Sequence, residues 1–209
     1  MLTKRRIHGF TLVELMVTIG ILAFLMLAAA PSVGAWIENS RLRASAESIL
    51  NGLQRARAEA VSRNTLVRFQ LTSTADNGCA LDTNGKNWVV SLDPNNSSGL
   101  VAGHCGNKPD TTASPWIVEV RPSADGSSNT TVVNGSNANV GFDGSVLFNG
   151  LGKPVGLAGT SVTYSITSST DQCAKDGGKV TCLQVVVSPS GQVRMCNPGI
   201  TNTADPQAC

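Results

Sequence analysis

Charge is scarce in this 209-residue chain: Asp, Glu, Lys and Arg make up only 14% of it, against roughly 25% in ordinary soluble domains. Sixteen basic residues face fourteen acidic ones, a net of +2. That excludes a strongly basic nucleic-acid binder and an acidic disordered tail. Aromatics reach only 4%, and histidine occurs twice, as His8 and His104. No C-x2-C pair occurs, and His104-Cys105 has no second pair at zinc spacing. Asp82-x-Asn84-Gly85 and Asp93-x-Asn95-x-Ser97 hint at calcium loops. Neither continues with the glycine and terminal glutamate an EF-hand needs, and such clusters are ordinarily turns. The expectation is therefore no catalytic residue, no metal and no cofactor.

What the chain does have is apolar residues, concentrated at its start. Residues 10–30 read FTLVELMVTIGILAFLMLAAA, 21 residues with one ionisable group, Glu14. At about 1.5 Å per residue a helix of that length covers the roughly 30 Å hydrocarbon core of a bilayer. Lys4, Arg5 and Arg6 precede it with no acid among residues 1–9. Positive flanks stay cytoplasmic, so the rest of the chain is expected outside. A cleaved secretory signal would use Ala28-Ala29-Ala30 as its small-residue site, but the run exceeds the usual ~7–15 residues and contains Glu14. A plain anchor leaves Glu14 unexplained, at about 2.5–3.5 kcal/mol if it lay near mid-bilayer.

The stretch Gly9-Phe10-Thr11-Leu12-Val13-Glu14-Leu15 resembles the GFTLVEL signature of type IV pilins and type II secretion pseudopilins. The resemblance implies prepilin peptidase cleavage between Gly9 and Phe10, N-methylation of Phe10, and a role for Glu14 in filament assembly. A carboxylate in hydrocarbon needs a cation, and cleavage creates an ammonium on Phe10. Pro31 would then stand where many pilins carry a helix-kinking proline.

Beyond the apolar run the pattern stays helical from residue 35 to 63. Leu42, Ala46, Ile49, Leu53, Ala56 and Ala60 recur at spacings of four and three, a narrow stripe for a sheet to pack on. Arg43–Glu47, Arg55–Glu59 and Glu59–Arg63 are opposite charges one turn apart, and Asn64 is a stop tolerant of the left-handed conformation. Residues 38–68 carry a net +3, a basic face whose default reading is a solvated surface and which could also meet headgroups, neighbouring pilins or DNA.

After Asn64 the texture becomes short β-type runs broken by Gly, Asn, Asp, Ser and Pro. Strands are expected at residues 66–71, 88–92, 116–121, 139–142, 146–148, 162–166, 183–187 and 192–195. Val67, Phe69 and Leu71 share one face, and Ser188-Pro189-Ser190-Gly191 makes a tight connection. Residues 95–114 read as an exposed loop. The fold class is α+β: a long N-terminal helix, half transmembrane and half amphipathic, packed against an antiparallel sheet or small sandwich. The boundaries are 1–9 leader, 10–30 membrane or filament-core helix, 31–64 amphipathic helix and 65–209 head.

A second resemblance covers most of the chain. The block from Leu53 to Asn64, Asn87-Trp88-Val89-Val90, Val140-Gly141-Phe142-Asp143-Gly144 and Ser190-Gly191-Gln192-Val193-Arg194-Met195-Cys196 resemble, in order, blocks of the GspH/FimT family, whose members lack enzymatic activity. Within it the chain is most similar to FimU-type minor pilins. That implies a subunit at or near the tip of a type IV pilus, initiating assembly and connecting the major pilin with other minor pilins. It implies contact with prepilin peptidase, the inner-membrane assembly platform and, before assembly, membrane lipid. The head would be periplasmic, then part of an extracellular pilus of a Gram-negative bacterium. The alternatives are a GspH-like pseudopilin of type II secretion and a FimT-like DNA-binding pilin. The DNA reading would use Lys175, Lys179 and Arg194, but Gln192 replaces a basic residue of the family pattern, and from Phe69 onward the net charge is −3.

Cys79, Cys105, Cys173, Cys182, Cys196 and Cys209 all follow the apolar run. An even number in an exported head reads as disulfides, and sequence proximity favours 79–105, 173–182 and 196–209. Leader removal takes three basic residues and no acids, leaving −1; the basic excess is a topology signal.

Overall fold

The computed structural model describes residues 9–97, 99–123, 129–138, 142–157 and 159–209, without the side chains of 27–32. Among the described residues one α-helix, α1 (Leu12–Arg63), is followed by nine strands, with a short 3-10 turn at Ala174–Asp176 between the seventh and eighth: β1 (Val67–Thr72), β2 (Asn87–Leu92), β3 (Ile117–Arg121), β4 (Thr131–Asn137), β5 (Ser145–Phe148), β6 (Pro154–Val155), β7 (Val162–Ser168), β8 (Leu183–Val187) and β9 (Val193–Cys196). The chain divides into two units, Met1–Ile37 and Glu38–Cys209. In the first, many apolar side chains of the helix, among them Leu12, Leu15, Ile19 and Phe24, stand more than half exposed. Among the described residues no helical segment is long and apolar enough to cross a membrane. The expected span at residues 10–30 continues into 27–30, whose side chains lie outside that description.

The second unit holds the core. Leu42, Ala46, Ile49, Leu53, Ala56 and Ala60 are all at most 1% exposed, so the stripe is the packing face. Fully burying an aliphatic side chain is worth roughly 1.5–3 kcal/mol, and the alanines let the strands come close. Gly52 extends this economy: a Cβ there would lie 2.7 Å from the Phe69 ring and 2.9 Å from that of Trp88. The Trp88 indole N–H donates to Ser48 Oγ at 3.0 Å. The helix stops as expected, with Asn64 at φ 47° and the Thr65 N–H returning to the Ala60 carbonyl.

Two antiparallel sheets share this core. The first runs β3-β2-β1-β5-β6 and the second β4-β7-β8-β9. In the first, the register sets Phe69 opposite Val90 and Val146, so alternate residues point at α1. Phe69 meets Tyr164 of the second sheet edge to face, centroids 5.8 Å apart. Burial, and secondarily the charge of Asp143, push the Tyr164 hydroxyl well above its ordinary pKa; it stays neutral and donates to the Gly144 carbonyl.

β1 is buried along its whole length, because the first sheet is covered on both faces. On the far face Val89 and Ile117 pack with Val101, Cys79 and Cys105. The loop at residues 95–114 is thus only partly the exposed feature expected: Val101 and Cys105 press it onto the sheet. Beside that apolar patch, Arg68 donates to Asp93 at 2.7 Å, Ser145 at 3.0 Å and Asn96 at 2.8 Å.

The expected strand at 139–142 falls on residues outside the description except Phe142, which is not in a strand. The strand from Thr131 to Asn137 was not expected. Its Asn-Gly-Ser run reads as a turn, yet Gly135 is needed as strand: a Cβ there would lie 3.1 Å from the rings of both Phe142 and Tyr164. The connection from β8 to β9 turns at Gly191, φ 87°, with Ser188 N–H bonded to the Gln192 carbonyl.

Candidate functional site

Gly9, Phe10 and Glu14 lie within one turn of the helix start, whereas Lys4, Arg5, Arg6 and the rest of the expected leader up to residue 8 lie outside the described residues. Thr11 caps α1: its carbonyl accepts from Leu15 N–H at 3.1 Å and its Oγ1 accepts from Glu14 N–H at 3.2 Å. Thr11 and Glu14 stand in the S/T-x-x-E relation of a capping box. Gly9 and Phe10 precede the first helical residue, and Phe10 is 82% exposed. Among the described residues, a Cβ at Gly9 would meet nothing within 4 Å. Glu14 lies in the first turn, where an acidic group offsets the partial positive charge of unpaired backbone N–H groups. An ammonium on Phe10 would add to that positive charge, four residues before Glu14.

In the head, the disulfides are Cys79–Cys105, Cys173–Cys182 and Cys196–Cys209. The first holds the 95–114 loop. The third holds the final segment, whose Asn197 N–H bonds the Gln207 carbonyl. Arg194 donates to the backbone carbonyls of Ala208 at 2.8 Å and Cys209 at 3.0 Å, so its guanidinium braces that segment. Lys175 and Lys179 sit exposed on the loop closed by Cys173–Cys182, with Lys175 3.9 Å from Asp176.

The basic face read from residues 38–68 is largely neutralised. Arg41 pairs with Glu38, Arg43 with Glu47, Arg55 with Glu59 and Glu119, and Arg63 with Glu59. Arg57 donates to the Gly152 carbonyl at 3.1 Å, and Arg68 is buried against Asp93. Glu38 is 6% exposed, and its Oε1 accepts from Thr130 and Ser168, both at 2.8 Å. Burial alone would raise its pKa; the Ser168 and Thr130 hydroxyls and the Arg41 charge outweigh it and hold the carboxyl below its ordinary value. The partners of Glu38 lie 92 and 130 residues away, so no local signal announces this latch.

The Asp/Asn clusters are turns. Asp82 Oδ1 accepts from Asn84 N–H, and Asp93 Oδ1 accepts from Ser97 N–H. Among the described residues, no three His, Cys, Asp or Glu converge as a metal site. Shallow grooves flank the helix. One of about 480 Å³ is lined by Glu47, Arg55, Trp88 and Arg121. Another of about 500 Å³ is lined by Ala58, Val61 and Val193.

A family model for the prokaryotic N-terminal methylation motif matches residues 4–30, and one for the type II transport protein GspH matches residues 45–191. Solved structures similar to the chain include the type IV minor pilin FimU of Pseudomonas aeruginosa (strain PAO1), at 20% identity and a TM-score of 0.48 over 83% of this chain and 98% of that one. The minor pseudopilin EpsH of the Vibrio cholerae type 2 secretion system follows at 11% identity and 0.46, over 77% and 99%. No curated protein matches the chain significantly. The GspH model alone accounts for well over half of the sequence, and the methylation motif accounts for its start. On that footing the chain belongs to the family of the type II transport protein GspH and carries the prokaryotic N-terminal methylation motif.

Proposed function

We propose that the chain is a minor type IV pilin. Prepilin peptidase cuts between Gly9 and Phe10, Phe10 is N-methylated, and the subunit enters the filament at or near its tip. There it initiates assembly and joins the major pilin to other minor pilins. The observation that carries this reading is the position of Glu14, in the first turn of α1 and four residues from Phe10. A new ammonium at Phe10 and the Glu14 carboxylate are then available to pair between neighbouring subunits, because ion pairing in a low dielectric is strong and directional. The head supports a mechanical role: a continuous core, three disulfides and a buried ion pair make it a rigid block. In this account the inner-membrane assembly platform receives the subunit with its head in the periplasm.

Glu14→Ala is expected to stay membrane-bound, to be processed, and to be depleted from sheared filaments with loss of surface piliation. Wild-type incorporation of the variant would remove the assembly role of Glu14.

The match to the GspH model supports a second reading, a pseudopilin of type II secretion. Deleting the chain in its own organism separates the two: loss of pili with intact protein secretion favours the first, the reverse favours the second. DNA uptake has less support. Arg194 is engaged by the C-terminal backbone, which leaves Lys175 and Lys179 without it in a stretch whose net charge from Phe69 onward is −3.

A further inference from the structure

After Glu14 the next charged residue is Glu38, so residues 15–37 form an uncharged stretch of 23 residues, all within α1. At about 1.5 Å per residue it covers about 34 Å, close to the roughly 30 Å of bilayer hydrocarbon. Its midpoint is residue 26, which puts Trp36 about 15 Å from the midplane. That is the depth where Trp collects, since its ring is apolar and its N–H seeks water or headgroups. Trp36 is 70% exposed, with Val33 at 50% and Ile37 at 39%. At i, i+3 and i+4 these three make one apolar strip. In this register Glu14 lies about 18 Å on the other side of the midplane. It is then at the cytoplasmic interface, which relieves most of the penalty of a carboxylate in hydrocarbon.

We propose that residues 15–37, rather than 10–30, are the membrane register of the subunit before assembly, with Trp36 anchored at the outer lipid interface. The inference rests on the reading that α1 inserts in the membrane. It gives the lipid contact a definite place: the strip of Val33, Trp36 and Ile37 lies against headgroups and upper acyl chains.

The full chain is reconstituted into phosphatidylcholine vesicles whose acyl chains are brominated either close to the glycerol or close to the methyl end. Subtracting the quenching of Trp36→Phe from that of the wild type isolates Trp36, since Trp88 is buried in the head at 3% exposure and Trp116 is common to both. Substitution at so exposed a position leaves the fold intact. The expected result is quenching by the shallow bromines that is lost in Trp36→Phe. Stronger quenching by the deep bromines overturns the register. No quenching at either depth, from a chain that floats with the vesicles, also overturns it. That outcome is what the 10–30 register gives, because it sets Trp36 about 24 Å from the midplane, and it leaves insertion standing. A chain that fails to float overturns the membrane reading and this inference with it.

Discussion

Replacing Asp93 by Ala is expected to destabilise the head far more than an ordinary surface ion pair would allow. Arg68 and Asp93 side chains are 8% and 1% exposed and 2.7 Å apart. The Asp93 backbone N–H bonds the Leu66 carbonyl, and its second carboxylate oxygen receives Ser97 N–H at 2.7 Å. Deleting the carboxylate leaves a guanidinium under the loop with only Ser145 and Asn96 for company. Breaking a buried pair from one side costs about 3–5 kcal/mol, because the remaining charge stays desolvated. Exposed pairs cost about 0–1 kcal/mol. At roughly 2–4 °C per kcal/mol for a unit of this size, the expected fall in Tm is about 6–20 °C. Thermal unfolding of the full chain in detergent, followed by near-UV circular dichroism, reads it. The control is Arg68→Met with Asp93→Ala, which removes both charges and should recover much of the loss. A single variant within about 1 kcal/mol of wild type, or a double variant no better than the single, would refute the reasoning.

Glu38 supplies a pH signature. Its folded pKa is held below the ordinary value of 4.5, so its contribution is fully present above that value. It is lost as pH falls through the lower, folded one. Acid titration of stability should therefore be less steep below pH 4.5 in Glu38→Gln than in wild type; parallel curves would contradict the latch. Cys196→Ser with Cys209→Ser opens a bridge of sequence separation 13 and should cost about 3 kcal/mol in the chain-entropy model. It should also speed proteolysis of the last residues, seen as an early loss of C-terminal mass.

Much of the fold is legible in the sequence where the physics is local. The stripe from Leu42 to Ala60 is read from spacing alone, and all six of its residues are buried. Asn64 closes the helix because few residues other than glycine accept a positive φ so readily. Neighbouring cysteines pair because short loops bring them together. What stays hidden depends on distant partners. Gly135 looks like a turn residue until the rings of Phe142 and Tyr164 are placed over it. Arg68 counts as one more surface cation until Asp93 and Ser145 close around it. The same holds for the apparent basic face, whose arginines are taken up one by one by Glu38, Glu47, Glu59 and Glu119. At the N-terminus the motif alone points to Gly9, Phe10 and Glu14. The structure adds the Thr11 cap.

The N-terminal mass of the chain in sheared surface filaments, against that in the membrane fraction, tests the central claim most directly. The account predicts filament-borne chain that begins at Phe10 and carries one added methyl group on its nitrogen. Chain found only in membranes and still beginning at Met1 would contradict it.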